Sequence, residues 1–559
     1  MSRKSKSPSK RKAKAAAANQ GEPRTRPALR PFFATPPQGL WRGFVPCLLA
    51  AFALRAGVGL AGDWMVRPDE VFKYLEQAHR MVFGYGQVPW EFSVGFVTWL
   101  LPAVPAVPIF LCEILGLGHP DFYIPAVKLW NALLSLWLPA GMYLFGRRVM
   151  GEAPARLALL LGCFWHELVV LATHAFAEQY SSAALFAALV LLSPAASRPR
   201  LMAAGFLFGL VIALRFQYMP LVGVLGLACL AAYPLARWCF IFIGGVAAVL
   251  LWGAAGYLTW GRWWNAPRLL VEMYAIHDFY VLFSDVALPF YQHLLSLMGS
   301  SYGLYALAAA AALHWRRHWL LLSMAAAVLA VHMWAVNKEY SNVFVLLPLL
   351  WMLIAAAAGS FRLSRRPGGA LAAVGGLAAL ASIVSFLGGV PNPDKSYNAH
   401  IPALLPNRAG LVHSEEALII ARDISRLPAD RVRAVMWMPV RFYKDGAYYH
   451  SHHRVPMLFP NRNPDHAAWY EQRPANTLAT HVVAGKGRAP PGFSLQRGYG
   501  NWALFVNDTP EAVQVPEVFF TDFGVSLDRF LVQRVKDRRI EFPEQPRALL
   551  FPGGDGNLQ

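Results

Sequence analysis

Long apolar runs separated by short polar gaps dominate residues 40–390. Runs of roughly 17 to 23 apolar residues are long enough to cross a bilayer as helices. They predict about 11 transmembrane helices, near 40–62, 123–146, 155–172, 180–196, 201–217, 219–235, 238–259, 299–313, 319–335, 342–358 and 369–389. The pattern therefore predicts a polytopic α-helical membrane protein.

Beyond residue 390 the chain becomes polar and rich in proline. Helical periodicity is present over 414–425, and strand-like runs cover 432–439, 480–484 and 502–506. We expect a C-terminal mixed α/β soluble domain over 391–559.

Composition supports a membrane location. The 559 residues are 56% hydrophobic and only 15% charged, a balance that a water-soluble domain would not keep in solution. The net charge of +19 comes largely from a basic tail and from gaps between apolar runs, so it indicates topology and not nucleic-acid binding. Residues 1–39 are expected to form a disordered basic cytoplasmic tail. The first apolar run lacks a small-residue cleavage site, which disfavours a signal peptide.

Charge also predicts orientation. With the tail inside, the cytoplasmic gaps hold the basic residues Arg147, Arg148, Arg156, Arg198, Arg200, Arg237, Arg316, Arg317, Arg362, Arg365 and Arg366, as the positive-inside rule requires. This alternation holds only if the apolar stretch 94–117, interrupted by three prolines, does not cross the membrane. We place that stretch as interfacial or re-entrant helices within a first outer loop, residues 63–122.

The gaps assigned to the outer face collect acidic and basic groups together. Such groups at a membrane boundary are costly unless they are paired or hydrated, so they mark a candidate site. The most concentrated group follows Pro68, where Asp69 and Glu70 begin a short helix. Asp69 could be a helix cap beside a solvated face, or one carboxylate could serve as general base toward an acceptor hydroxyl.

Three other groups have competing interpretations. Lys338 could hold a phosphate, or it could be an interfacial lysine paired with Glu339. His174 and Glu178 offer too few ligands for a metal, so a polar contact is favoured. Near Tyr448, the histidines 450, 452 and 453 point in different directions on a helix or a strand, so sugar contact is favoured over zinc. All five cysteines lie in apolar stretches, which disfavours a disulfide framework. No metal site is predicted.

The segment around Asp69 resembles the signature of glycosyltransferase family 22, which includes the GPI mannosyltransferases and the lipid-linked-oligosaccharide mannosyltransferases. The matching residues are Pro68-Asp69-Glu70, Phe72, Leu75-Glu76, Ala78-His79, Phe83-Gly84-Tyr85-Gly86, Trp90-Glu91 and Pro102. Lys338-Glu339-Tyr340 is similar to the family's late motif, and Trp437-Met438-Pro439 with Tyr448-Tyr449-His450-Ser451-His452 is similar to a motif of the GPI mannosyltransferases.

The resemblance implies a GT-C glycosyltransferase fold, with residues 40–390 as the transmembrane catalytic domain. It implies inverting transfer of a sugar, mannose in this family, from a polyprenyl- or dolichyl-phosphate-sugar donor to a lipid-linked glycan acceptor on the periplasmic or lumenal face. Asp69 is then the general base and Glu70 supports it. No cofactor is demanded, although a divalent cation could assist. Donor or acceptor contacts are expected from Arg67, Lys73, Glu76, His79, Trp90, Glu91, His174, Glu178, Arg215, Lys338, Glu339, Tyr340, His450 and His452.

The sequence departs from the family pattern at several positions that would recognise phosphate or sugar. The differing residues are Arg67, Lys73, Val97, Thr98, Asn337 and Asn342. A transporter or flippase of lipid-linked glycans is one alternative, but the repeated halves expected of a transporter are not evident. A non-catalytic glycosyltransferase-like subunit is another. The bias toward Ala, Gly, Arg and Pro favours a bacterial inner membrane over the endoplasmic reticulum.

Overall fold

The structure is a computed structural model, and it describes residues 39–63, 69–93, 95–193, 195–272, 302–312, 315–334, 340–360, 368–388, 390–391, 400–401, 416–438, 448–458 and 473–515. Several predicted features lie outside the described residues: the basic tail up to residue 38, and the side chains of Arg67, Lys338 and Glu339.

The N-terminal part is helical. Its α-helices are Phe44–Leu60, Glu76–Phe83, Trp90–Ser93, Leu100–Ile114, Pro120–Ser135, Trp137–Val149, Glu152–Phe164, His166–Val170, Ala177–Leu191, Arg198–Leu214, Met219–Ala232, Leu235–Trp260, Asn265–Val271, Tyr302–Ala312, Trp315–Trp334, Leu346–Ser360 and Gly369–Gly388. A π-helical turn covers Glu70–Leu75, and 3₁₀ turns cover Leu171–Thr173, Phe216–Tyr218 and Tyr340–Val343. Every predicted span contains a helix, but the span at 123–146 is divided at Leu136.

The span expected at 155–172 is also broken. Helix Glu152–Phe164 ends before Trp165, and the segment His166–Thr173 continues at an angle of 54°. By length and composition alone, one described helix, Leu235–Trp260, could cross a membrane, and this bent pair could form a second crossing. Other apolar helices are shorter, at 10–17 residues. The number of spans and the side on which each gap lies therefore stay predictions.

The proline-rich stretch within 94–117 contains one continuous helix, Leu100–Ile114, which runs through all three prolines. Its interfacial or re-entrant placement stays a prediction. Pro102 falls in the first turn, where backbone N–H groups need no helical acceptor. Pro105 and Pro108 lie further along the helix and are buried, where packing offsets the hydrogen bonds they remove. The opposite face exposes large apolar side chains, including Phe110 and Ile114.

Glycines bring two long helices into close contact. A Cβ atom added at Gly205 would overlap the Ile241 carbonyl, and one added at Gly244 would overlap the Met202 carbonyl. Helices Arg198–Leu214 and Leu235–Trp260 therefore pack backbone to backbone, as small residues allow in membrane proteins.

The C-terminal part combines helices with short strands. The α-helices are Glu416–Ser425, Tyr448–Ser451 and Ala475–Leu478, with 3₁₀ turns at Ala429–Arg431 and Pro510–Ala512. Strands β1 (Val390–Pro391) and β2 (His400–Ile401) pair with each other. A second sheet has the order β4-β3-β5-β7-β6, formed by β3 (Val435–Trp437), β4 (Met457–Leu458), β5 (His481–Gly485), β6 (Phe493–Tyr499) and β7 (Trp502–Asn507). The expected helix and three expected strands are present, whereas β4 and β6 were not expected.

Ion pairs join this C-terminal part to the first loop. Arg422 lies on helix Glu416–Ser425 and donates to Asp63 at 2.6 Å and to Asp121 at 2.7 Å. Lys128 also donates to Asp63, at 2.6 Å. Burial alone would raise the pKa of Asp63, but Lys128 and Arg422 hold it well below its usual range. Asp63 is therefore ionised and joins three elements.

Replacing Arg422 should loosen this junction. Arg422→Met leaves the Asp63 carboxylate with Lys128 as a remaining cation, and removing one hydrogen-bond partner from a buried polar group costs about 1 to 3 kcal/mol. We expect a lower midpoint of thermal unfolding in detergent. Arg426→Met is the matched control, because Arg426 also contacts Asp121 but is half exposed. If both substitutions lowered the midpoint equally, Arg422 would not be the residue that stabilises this junction.

Candidate active site

Asp69 and Glu70 begin the π-helical turn Glu70–Leu75, and their side chains have different surroundings. Asp69 has helical backbone angles and its side chain makes no capping hydrogen bond, so the expectation that it caps a helix is wrong. Its carboxylate instead lies 2.9 Å from the Lys73 ammonium, one turn later. The side chain of Asp69 is 46% exposed.

Lys73 lies between two carboxylates. Its ammonium is 2.7 Å from Glu91 as well as 2.9 Å from Asp69. Burial alone would lower the pKa of Lys73, but Asp69 and Glu91 raise it well above its usual value. Burial, aided by Asp69, raises the pKa of Glu91 against the attraction of Lys73. Two predicted contact residues, Lys73 and Glu91, therefore join Asp69 in one charged cluster.

A second ion pair lies beside this cluster. Arg215 is 3.2 Å from Glu178 and donates to the Asn342 side chain at 2.7 Å. Burial, with Glu178 and Asp69 nearby, raises the pKa of the Tyr74 phenol, while Lys73 and Arg215 oppose that shift. Both ion pairs thus act electrostatically on the Tyr74 phenol.

The late motif approaches the same place. The described chain resumes at Tyr340, and the turn Tyr340–Val343 contains Asn342, which accepts from Arg215. Tyr218 donates to the Asn342 backbone carbonyl at 3.0 Å. The last residue of the motif, Tyr340, thus lies two positions before Asn342, which accepts the hydrogen bond from Arg215.

Glu70 is buried and contacts a distant part of the chain. Both of its carboxylate oxygens lie 2.8 Å from Nδ1 of His174, and the Ala175 amide donates to it at 3.1 Å. Glu70 therefore pairs with His174, whereas Asp69 pairs with Lys73. His174 and Glu178, expected to share one polar contact, instead contact Glu70 and Arg215 respectively.

Glu76 holds backbone groups. It accepts hydrogen bonds from the amides of Gln87 at 2.7 Å, Tyr448 at 3.2 Å and Tyr449 at 2.8 Å. Burial raises the pKa of Glu76 to about 7, although these three hydrogen bonds oppose the shift. This carboxylate joins the first loop to helix Tyr448–Ser451, so the described contacts of Glu76 are structural.

Two histidines meet at the same junction. His79 Nε2 lies 3.1 Å from His452 Nδ1, and the Tyr85 hydroxyl donates to the His452 carbonyl at 2.5 Å. Burial lowers the pKa of His452 to about 4, and His119 and His453 add to this effect. Burial lowers the pKa of His79 as well, with a contribution from His452. Both rings are therefore neutral near pH 7.

A small cavity lies between the first loop and the C-terminal part. It measures about 30 Å³ and is lined by side chains that include Asp63, Glu70, Lys128, Asn131, His174 and His450. This volume admits about two water molecules. Asp63, Lys128 and Asn131 were not predicted, although a lysine inside an apolar span was a usable signal.

Metal binding receives no support from the described part of the chain, where no three His, Cys, Asp or Glu side chains are arranged to hold an ion. Trp90 begins helix Trp90–Ser93, but its side chain lies outside the described residues. The side-chain contacts expected from Arg67, Lys338, Glu339 and Tyr340 also lie outside them.

The fold is that of a GT-C membrane glycosyltransferase. The chain is similar to the crystal structure of ArnT from Cupriavidus metallidurans bound to undecaprenyl phosphate, with a TM-score of 0.54. The similarity covers 85% of this chain and 98% of ArnT at 14% sequence identity.

Sequence comparison then identifies the family. Residues 47–388 match the model of the Alg9-like mannosyltransferase family, so the chain belongs to that family. It is 32% identical over 114 residues to GPI mannosyltransferase 3 of Yarrowia lipolytica, and 38% identical over 94 residues to mannosyltransferase APTG1 of Arabidopsis thaliana. The matched stretches cover 20% and 17% of this chain, and 22% and 16% of those relatives.

Acidification should weaken the histidine junction. The folded protein keeps His452 neutral, whereas the unfolded chain takes up a proton below about pH 6.5. The stability contributed by this difference is complete above pH 6.5 and is lost as the pH falls toward 4. After allowance for partial exposure we expect a loss of about 1 to 2 kcal/mol.

The variant His452→Asn isolates this effect, because asparagine tolerates the φ of 55° at this position and does not titrate. Thermal unfolding of both proteins between pH 4.5 and 7.5 should show a shallower pH dependence for the variant. Identical slopes would contradict the prediction.

Proposed function

We propose that this protein transfers mannose, with inversion, from a polyprenyl- or dolichyl-phosphate donor to a hydroxyl of a lipid-linked glycan. The site faces the periplasm or the lumen in this proposal. Membership of the Alg9-like mannosyltransferase family supports mannose as the sugar. The related fold of ArnT, crystallised with undecaprenyl phosphate, supports a lipid-phosphate donor.

The observation that carries the proposal is the unequal exposure of the clustered carboxylates. A general base must reach the hydroxyl from which it takes a proton. The Asp69 side chain is 46% exposed, whereas those of Glu70, Glu91 and Glu178 are 5%, 8% and 5% exposed. Asp69 is therefore the carboxylate of this cluster that an incoming acceptor can meet.

The reaction needs little further chemistry from the protein. The acceptor oxygen bonds to C1 of the sugar as the bond from C1 to the phosphate oxygen breaks on the opposite face. The electron pair leaves with the lipid phosphate, and the acceptor proton passes to Asp69. Because phosphate is already a good leaving group, positioning and positive charge suffice.

Lys73 and Arg215 supply that positive charge in the proposal. Each cation is already paired with a carboxylate: Lys73 with Asp69, and Arg215 with Glu178. Both cations act electrostatically on the Tyr74 phenol, so in the proposal the lipid phosphate enters where Lys73 and Arg215 can both attract it. The unpredicted contact with Asn342 orients the Arg215 guanidinium.

Removing the base should abolish transfer. Asp69→Asn keeps the size of the side chain but cannot accept a proton, and general-base catalysis contributes about 10² to 10⁴-fold. Purified protein in liposomes would be assayed with radiolabelled dolichyl-phosphate mannose and mannose-terminated glycolipids. Glu113→Gln, an exposed acid of the same loop, is the control. Full transfer by Asp69→Asn would refute the base assignment, and lipid movement without sugar transfer by the wild type would favour a flippase.

Weakening the phosphate contact should affect donor binding first. Arg215→Gln should raise the KM for dolichyl-phosphate mannose about tenfold, since a charge-assisted hydrogen bond is worth roughly 1.5 to 3 kcal/mol. The kcat should change less. Arg200→Gln, an exposed arginine at the other end of the same chain segment, should leave both constants unchanged. An unaltered KM in Arg215→Gln would exclude this residue from donor binding.

A further inference from the structure

Arg55 is a fully buried arginine in the middle of an apolar helix, Phe44–Leu60. A charged side chain at such a position is costly and usually has a function. Its guanidinium donates to Ser135 Oγ and to the Gly162 carbonyl, both at 2.7 Å. No described carboxylate pairs with it, so Arg55 holds polar groups of two other helices.

Gly162 lies at the break between two helices. Helix Glu152–Phe164 ends at Trp165, whose backbone is extended, and the chain then turns by 54°. Carbonyls in the last turn of a helix lose their helical donors, and in apolar surroundings each needs another one. Arg55 supplies that donor to Gly162, which makes the bend compatible with burial.

The bend leads directly to the candidate active site. After the turn Leu171–Thr173, the chain places His174 against Glu70 at 2.8 Å. Helix Phe44–Leu60 also contacts this end of the segment, because a Cβ at Gly59 would overlap the Thr173 side chain. The helix that carries Arg55 therefore meets the bent segment at both of its ends.

Helix Pro120–Ser135 also makes polar contacts toward both ends of the bent segment. Ser135 accepts from Arg55, and one turn earlier Asn131 donates to the Thr173 carbonyl at 3.2 Å. The polar contacts thus form a connected set from the break to the segment that carries His174.

We propose that Arg55 is a positioning residue that fixes the bend after Gly162 and thereby places His174 against Glu70. It does not contact substrate, because the cavity beside it measures about 10 Å³, which holds about one water molecule at most. The inference rests on the proposed function only where activity is the readout.

The variant Arg55→Leu removes the donor from Ser135 and from the Gly162 carbonyl. A buried carbonyl left without a donor costs about 1 to 3 kcal/mol, so the midpoint of thermal unfolding should fall modestly, and activity is measured well below that midpoint. We expect kcat for mannose transfer to fall at least tenfold with little change in the donor KM. Arg55→Lys retains a charged donor and should recover most of the lost activity. Arg156→Leu, at the exposed start of helix Glu152–Phe164, should behave as wild type.

A double variant tests whether Arg55 acts through His174. If it does, Arg55→Leu combined with His174→Asn should lose no more activity than the more damaging single variant. Losses that multiply would overturn the proposal.

Hydrogen exchange gives a readout that does not depend on activity. In Arg55→Leu, amides of residues 165–175 should exchange at least tenfold faster, while helix Ala177–Leu191 and the C-terminal sheet keep wild-type rates. Unchanged exchange over 165–175, or equally faster exchange everywhere, would overturn the proposal. If the wild type transfers no mannose, the proposed function fails, and the exchange result alone decides the role of Arg55.

Discussion

The architecture of the site depends on the burial of the Glu70 carboxylate. A buried carboxylate must be hydrogen-bonded or paired. Glu70 finds its partners in His174 and the Ala175 amide, more than 100 positions later in the chain. That pairing requires the chain to bend after helix Glu152–Phe164, so that the segment His166–Thr173 leads His174 to the first loop. The broken helix at Trp165 is therefore part of how the site is built.

The need to pair buried carboxylates also attaches the C-terminal part to the first loop. Glu76 directly follows the π-helical turn Glu70–Leu75 and is also buried, and its partners include the amides of Tyr448 and Tyr449. Asp63 adds an ion pair with Arg422 of the C-terminal part. Because these acids belong to one loop, its conformation and the docking of the C-terminal part are mutually dependent. A motif residue such as Glu76 can thus be essential without touching a substrate.

Sequence patterns predicted local features well. The apolar runs located the helices, and the motif located Asp69 and Glu91. The structure brings both to Lys73, a position that departs from the family pattern. Contacts across long separations were not predictable, since nothing in the local pattern pairs Glu70 with His174. The break at Trp165 was also missed, because Gly162 lies inside an apolar run that reads as one continuous span, and the bend is held by a side chain from another helix.

Adjacent residues in a helical turn project in different directions, and this separation gives Asp69 and Glu70 different surroundings. Asp69 projects toward Lys73 and solvent, where an acceptor can arrive, whereas Glu70 projects into the protein toward His174. If both were exposed, the loop would lose its anchor to the bent segment. If both were buried, no carboxylate of the pair would reach a substrate. In the function proposed above, the support that Glu70 gives is therefore positional: its bonds to His174 and Ala175 fix the turn from which Asp69 projects.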